Sequence, residues 1–131
     1  MNTRLLRRVQ RQILAEPKRL DMLKLLMRGR EAVKCYGKDM LPLCGTVGCI
    51  AGWTVELGKG HRAKASITAA AKLLRLTDEQ ANRLFFFAFH CSRSYWPANF
   101  EAAYDTATTD EARAQITSDR IDHFIRTKGA E

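Results

Sequence analysis

The sequence predicts an all-α fold: a compact single-domain bundle of six or seven helices around a small-residue central helix at about residues 46–57. Three observations carry that prediction. Apolar residues recur at three- and four-residue spacing along most of the 131 residues, with no alternating run that marks a strand. Helix starts are punctuated by Asn, Ser and Thr, and stops by glycine. Between Leu41 and Trp53, glycines and cysteines gather where a helix is expected to begin.

Asn2 or Thr3 caps a first helix reaching about Ala15, because Glu16 precedes Pro17 and is biased away from helix. On it Leu5, Leu6, Val9 and Ile13 form one arc, opposite Arg4, Arg7, Arg8 and Arg11. Pro17 suits the first turn of a second helix ending near Arg28, with Leu20, Leu23, Leu26 and Met27 turned inward. Residues 29–45 are weakly patterned and read as a loop.

Thr46 as N-cap and Gly58 as C′ residue then frame the central helix, Val47 to Leu57. Gly45, Gly48, Cys49 and Gly52 fall on one face of it, so another backbone can approach closely, while Ile50, Trp53 and Leu57 supply bulk beside them. Each interior glycine costs about 1 kcal/mol of helix propensity relative to alanine, which argues for a buried helix.

A helix from Ala63 or Ser66 to Arg75 follows, and Thr77-x-x-Gln80 is a capping box for the next. That next helix sets Ala81, Leu84, Phe85 and Ala88 on one face, and Phe86, Phe87 and Phe89 make it apolar nearly all round. Residues 90–94 read as a loop, and Trp96-Pro97 opens a helix to Tyr104 or Thr106. Thr108-x-x-Glu111 reads as a second capping box, starting a long helix past Ile116, Ile121 and Phe124 to Lys128-Gly129.

The length fits one domain, residues 1–131, with a basic N-terminal segment at 1–38. That segment holds 11 Lys and Arg against Glu16, Asp21 and Glu31, a net of +8, whereas residues 39–131 hold 11 of each sign. An acidic protein surface or nucleic acid is therefore the expected partner, met through Arg4, Arg7, Arg8, Arg11, Lys18 and Arg19; the plainer reading is a solvated helix face. No apolar run approaches the length of a membrane span and no signal peptide is evident, so the expected location is cytoplasmic, with no membrane partner.

Chemistry has fewer supports. Cys44 precedes a predicted helix start, where the dipole favours a thiolate, but no motif ties it to His61, His90 or His123 as a base. A metal site would draw on Cys35, Cys44, Cys49, His90 and Cys91, whose spacing lacks the paired knuckle of structural zinc sites. Cys44 and Cys49 also read as small core residues where bulk is forbidden. Residues 71–84 have the apolar spacing of a helix-turn-helix, but Arg75 replaces the usual turn glycine, and Asp78 and Glu79 would face phosphates. No cofactor-binding motif is present, and the chain leans away from an enzyme.

The pattern Cys44-Gly45-Thr46-x-x-Cys49-Ile50-Ala51-Gly52-Trp53 resembles a group of small bacterial and bacteriophage proteins marked by C-G-T-x-x-C-[IL]-A-G. Trp96-Pro97 with Phe100 and Tyr104, and Arg120-Ile121-Asp122-His123-Phe124-Ile125 with Gly129, are similar to the C-terminal half of that group. The likeness spans residues 40–129, with the first 38 less similar. It implies a single domain, a prokaryotic or phage origin and no assigned chemistry. The expected function is thus an accessory binding module, with a cysteine-dependent enzyme or metal protein at Cys44 and Cys49, or a phage structural or assembly protein, as alternatives.

Overall fold

The computed structural model describes residues 1–28, 47–87 and 95–131, the Met27 side chain excepted. Six α-helices lie among them: α1 (Thr3–Ala15), α2 (Ile50–Lys59), α3 (Ile67–Leu74), α4 (Asp78–Phe85), α5 (Ala98–Thr106) and α6 (Asp110–Arg126). A 3-10 turn at Pro17–Arg19 and an antiparallel pair of two-residue strands, β1 (Leu26–Met27) and β2 (Val47–Gly48), complete the described elements. No helix among the described residues is long and apolar enough to cross a membrane.

Helix α1 starts where its cap predicts. The Asn2 side chain accepts a hydrogen bond from the Leu5 amide at 3.1 Å. Asn2 also docks the helix onto the end of α3, donating from its side chain to Leu73 O at 3.2 Å and from its amide to Leu74 O. Leu5, Leu6, Val9 and Ile13 are buried, and Arg4, Arg7, Arg8 and Arg11 are exposed, so both arcs stand as the periodicity predicts.

The predicted second helix from Pro17 to Arg28 does not form beyond its first turn. Main-chain groups that would close helical turns instead bond to residues 47–49: the Asp21 amide donates to Gly48 O, the Cys49 amide donates to Lys24 O at 2.8 Å, and β1 pairs with β2. Leu20 and Met22 are buried while Leu23 is 44% exposed, an extended rather than helical pattern. Long-range pairing has overridden local periodicity here.

The central helix also begins later than predicted. Val47 and Gly48 are extended in β2, and Cys49, not Thr46, stands at the N-cap with φ −79° and ψ −177°. It ends at Gly60, whose φ of +90° suits glycine, rather than at Gly58. Gly45 and Thr46 lie outside the described residues. The central placement and the close-contact reason hold: Ile50 to Val55 are all buried, and a Cβ on Gly52 would sit 1.6 Å from Leu25 O. On Gly48 it would meet the Leu26 side chain at 2.8 Å and Leu25 O at 3.0 Å.

The remaining starts follow their caps. Ser66 accepts from the Ala69 amide at α3, and both halves of the Thr77 and Gln80 capping box are present at α4. Helix α4 stops at Phe85, with Phe86 already extended; Ala88, Phe89 and the predicted loop at 90–94 lie outside the described residues. At α6 the cap is Thr109, one residue beyond the predicted Thr108, accepting from the Ala112 amide at 3.1 Å. Lys128 and Gly129 close that helix at positive φ, as the Lys-Gly pair predicts.

Gly52→Ala tests the central contact. A methyl there must displace the Leu25 carbonyl, and overpacking of this kind costs about 1–3 kcal/mol. A thermal melt should show a drop of several degrees; an unchanged melting temperature would mean that residues 24–26 do not lie against α2.

Candidate polyanion-binding face

The six basic residues singled out by sequence separate into four groups. Arg4, Arg8 and Arg11 share one flank of α1, within about 10 Å along its axis, and no described carboxylate pairs with any of them. Lys18 is exposed on the 3-10 turn. Arg7 turns to α6, pairing with Asp122 and donating to the Gln10 side chain at 2.8 Å. Gln10 in turn donates to Ser118 Oγ at 2.9 Å, so this side of α1 is fastened to α6.

Arg19 leaves the predicted face altogether. It is 5% exposed, paired with Glu16 at 2.6 Å, and its guanidinium lies 4.8 Å above the Trp53 ring. The Arg19 hydrogen bond is also what holds the Glu16 carboxyl below the ordinary carboxylate range. Trp53 reaches this segment from 34 residues away, donating from Nε1 to Arg19 O. A lysine-arginine pair after a proline gives no hint of that contact.

Two adjoining clefts run along the free flank. One, about 390 Å³, lies between Arg4 and Arg8 of α1 and Gly58 and Leu73 of α2 and α3. The other, about 300 Å³, lies between Arg8, Arg11 and Ala15 of α1 and Leu57 of α2. Arg8 borders both. The sequence places Leu57 and Gly58 in the central helix and its stop and does not single out Leu73; only the packing of α1 on α2 and α3 brings all three beside the arginines. Residues 1–77 carry 16 Lys and Arg against 5 Asp and Glu, and exposed Lys59 adjoins Gly58, so the basic character extends beyond residue 38.

Two described carboxylates of this basic half are already engaged, Glu16 with Arg19 and Glu56 with Arg28 and His61. Glu56 accepts from Arg28 Nε at 2.9 Å and lies 2.7 Å from His61 Nδ1. Burial pushes the Glu56 carboxyl up, but Arg28 and His61 together outweigh it and hold the group below its usual value near 4.5.

The cysteine chemistry is represented among the described residues by Cys49 alone; Cys35, Cys44, His90 and Cys91 lie outside them. Cys49 is 5% exposed, its Sγ sits 3.7 Å from Leu25 O, and burial pushes its thiol above the ordinary range. No group of three His, Cys, Asp or Glu side chains among the described residues is placed to hold a metal ion.

Native protein treated with iodoacetamide near neutral pH should leave Cys49 unmodified by peptide mapping, and label it in denaturant. Rapid native labelling would place the thiol at the surface. For Glu56, a depressed carboxyl stabilises the fold above its unfolded pKa, and this is lost as pH falls through the folded value. Glu56→Gln should therefore cost about 1–2 kcal/mol at neutral pH, and parent and variant should converge in acid denaturation profiles as pH falls through the lowered Glu56 value.

No protein-family model, curated protein or solved structure matches this chain.

Proposed function

We propose that this protein is a non-enzymatic accessory binding module that meets a polyanionic partner, an acidic protein surface or nucleic acid, through the free flank of α1. The observation that carries this reading is the row Arg4, Arg8 and Arg11, exposed on one helix and paired with no described carboxylate. Surface arginines that complete an ion pair inside the molecule have less to offer a partner, as Arg7 does with Asp122. These three keep their donors for planar, bidentate recognition of carboxylate or phosphate.

The support beneath them suits the role. Helix α1 is fastened at its start to α3 through Asn2, and through Gln10 and Arg7 to α6. The arginines therefore stand on a rigid element, and binding orders only their side chains. The likeness of residues 44–53 to small bacterial and phage proteins is compatible with an accessory role.

The combined variant Arg4→Gln, Arg8→Gln, Arg11→Gln should melt within a few degrees of the parent, because exposed substitutions shift stability by about 0.5 kcal/mol or less each. Fluorescence anisotropy against random-sequence duplex DNA and against polyglutamate supplies the binding test. The parent should bind at least one probe with strong salt dependence. For duplex, the log–log salt slope should flatten by about 2–3 in the variant, as up to three phosphate contacts are lost. A parent that binds neither polyanion, or a variant that binds both as the parent does, would leave the row merely solvated.

A further inference from the structure

The clefts beside the arginine row are not purely electrostatic surfaces. Leu57 and Leu73 are half-buried at their walls, and α1 contributes Leu5 to one cleft and Ala15 to the other. A sugar-phosphate backbone has no apolar side chain to place there, and among the described residues no aromatic ring borders either cleft on which a base would stack. An acidic protein segment supplies both chemistries at once.

From this geometry we infer that the α1 flank is a docking groove for an acidic amphipathic helix, which seats an apolar side chain in each cleft and sets its carboxylates against Arg4, Arg8 and Arg11. The inference rests on the polyanion-binding reading above and names its partner class. The spacing fits: Leu5 in the first cleft and Gln12 in the second are seven residues apart on α1, about 10 Å along its axis. That is the separation of anchors at i and i+7 on a ligand helix. Both clefts are open to solvent, so an aliphatic side chain can enter either from the surface. Arg8, shared by both clefts, lies between the two anchors, where a carboxylate at i+3 or i+4 of the ligand meets it.

The test selects a display library of helical peptides against the full-length protein, then titrates the enriched peptides and random duplex DNA against parent, Leu57→Gln with Leu73→Gln, and the triple arginine variant. Circular dichroism confirms that each variant is folded; should the leucine pair fail that check, the single Leu57→Gln is used. The expected result is enrichment of acidic peptides with apolar residues seven apart, losing about tenfold or more in affinity with the leucine variant, whose duplex binding is unchanged. Acidic peptides indifferent to the leucine variant would overturn the groove while leaving the charge reading in place. Duplex bound more tightly than any selected peptide would assign the face to nucleic acid instead. If neither probe class binds, both readings fall.

Discussion

The fold depends on the absence of a side chain at Gly52. Only because nothing projects there can the main chain at Leu25 lie directly on α2, with its carbonyl where a Cβ would otherwise be. Around that contact the segment from Glu16 to Met27 becomes a strap across the start of the central helix. The Cys49 amide donates to Lys24 O, Trp53 donates to Arg19 O, and β1 and β2 close the ladder. Cys49 fits the same constraint: it is a small, weakly polar residue at a buried N-cap, where its side chain makes no capping bond and its sulfur faces Leu25 O. The two thiol-and-glycine positions that give the sequence motif its appearance of chemistry are thus explained, for Cys49 and Gly52, by close packing.

A second buried constraint organises the opposite side. Arg120 is fully buried on α6, with its guanidinium 5.6–5.9 Å from the Trp96, Phe100 and Phe124 rings, and it donates to Arg83 O at 2.9 Å and to Glu131 O at 3.2 Å. Burial pulls it down to about 10, which still leaves it charged at neutral pH. Its Nε finds no acceptor among the described residues. Two carbonyls and three ring faces, rather than a side-chain carboxylate, hold this cation, and in doing so they tie α4, α5 and the C-terminal turn to α6. The cost of burying that charge is carried by the fold, so Arg120 is a structural arginine.

What could be read from the sequence was local. Asn2, Ser66 and the Thr77 and Gln80 box each act within one helical turn, and each starts a helix where expected, while at α6 Thr109 caps in place of Thr108 by accepting from the Ala112 amide. What could not be read was long-range. Leu20, Leu23 and Leu26 have helical spacing, yet the main chain of Leu20 and Leu26 pairs with Gly48, more than 20 positions later. The same limit governs the candidate site. Arg7 and Arg19 look like Arg4 and Arg8 in a helical pattern, and only Asp122 and Trp53, distant in sequence, convert them from surface charge to structure.

That sorting changes what the basic segment can do. Of its described arginines, Arg7, Arg19 and Arg28 end on partners within the molecule, which leaves Arg4, Arg8 and Arg11 as a row on one flank. Three exposed charges screened by salt contribute little each, and an unstructured basic tail would lose further affinity to ordering. Helix α1 avoids the second loss because its buried arc and its fastenings at Asn2 and Gln10 already fix the backbone. The proposed docking would offset the first, since the arginines stand beside half-buried Leu57 and Leu73, where a ligand's apolar surface would leave water as its charges are paired. Charge alone on this flank gives attraction without orientation. Charge bordering two clefts of fixed spacing gives a register, and register is what distinguishes a binding site from a solvated helix face.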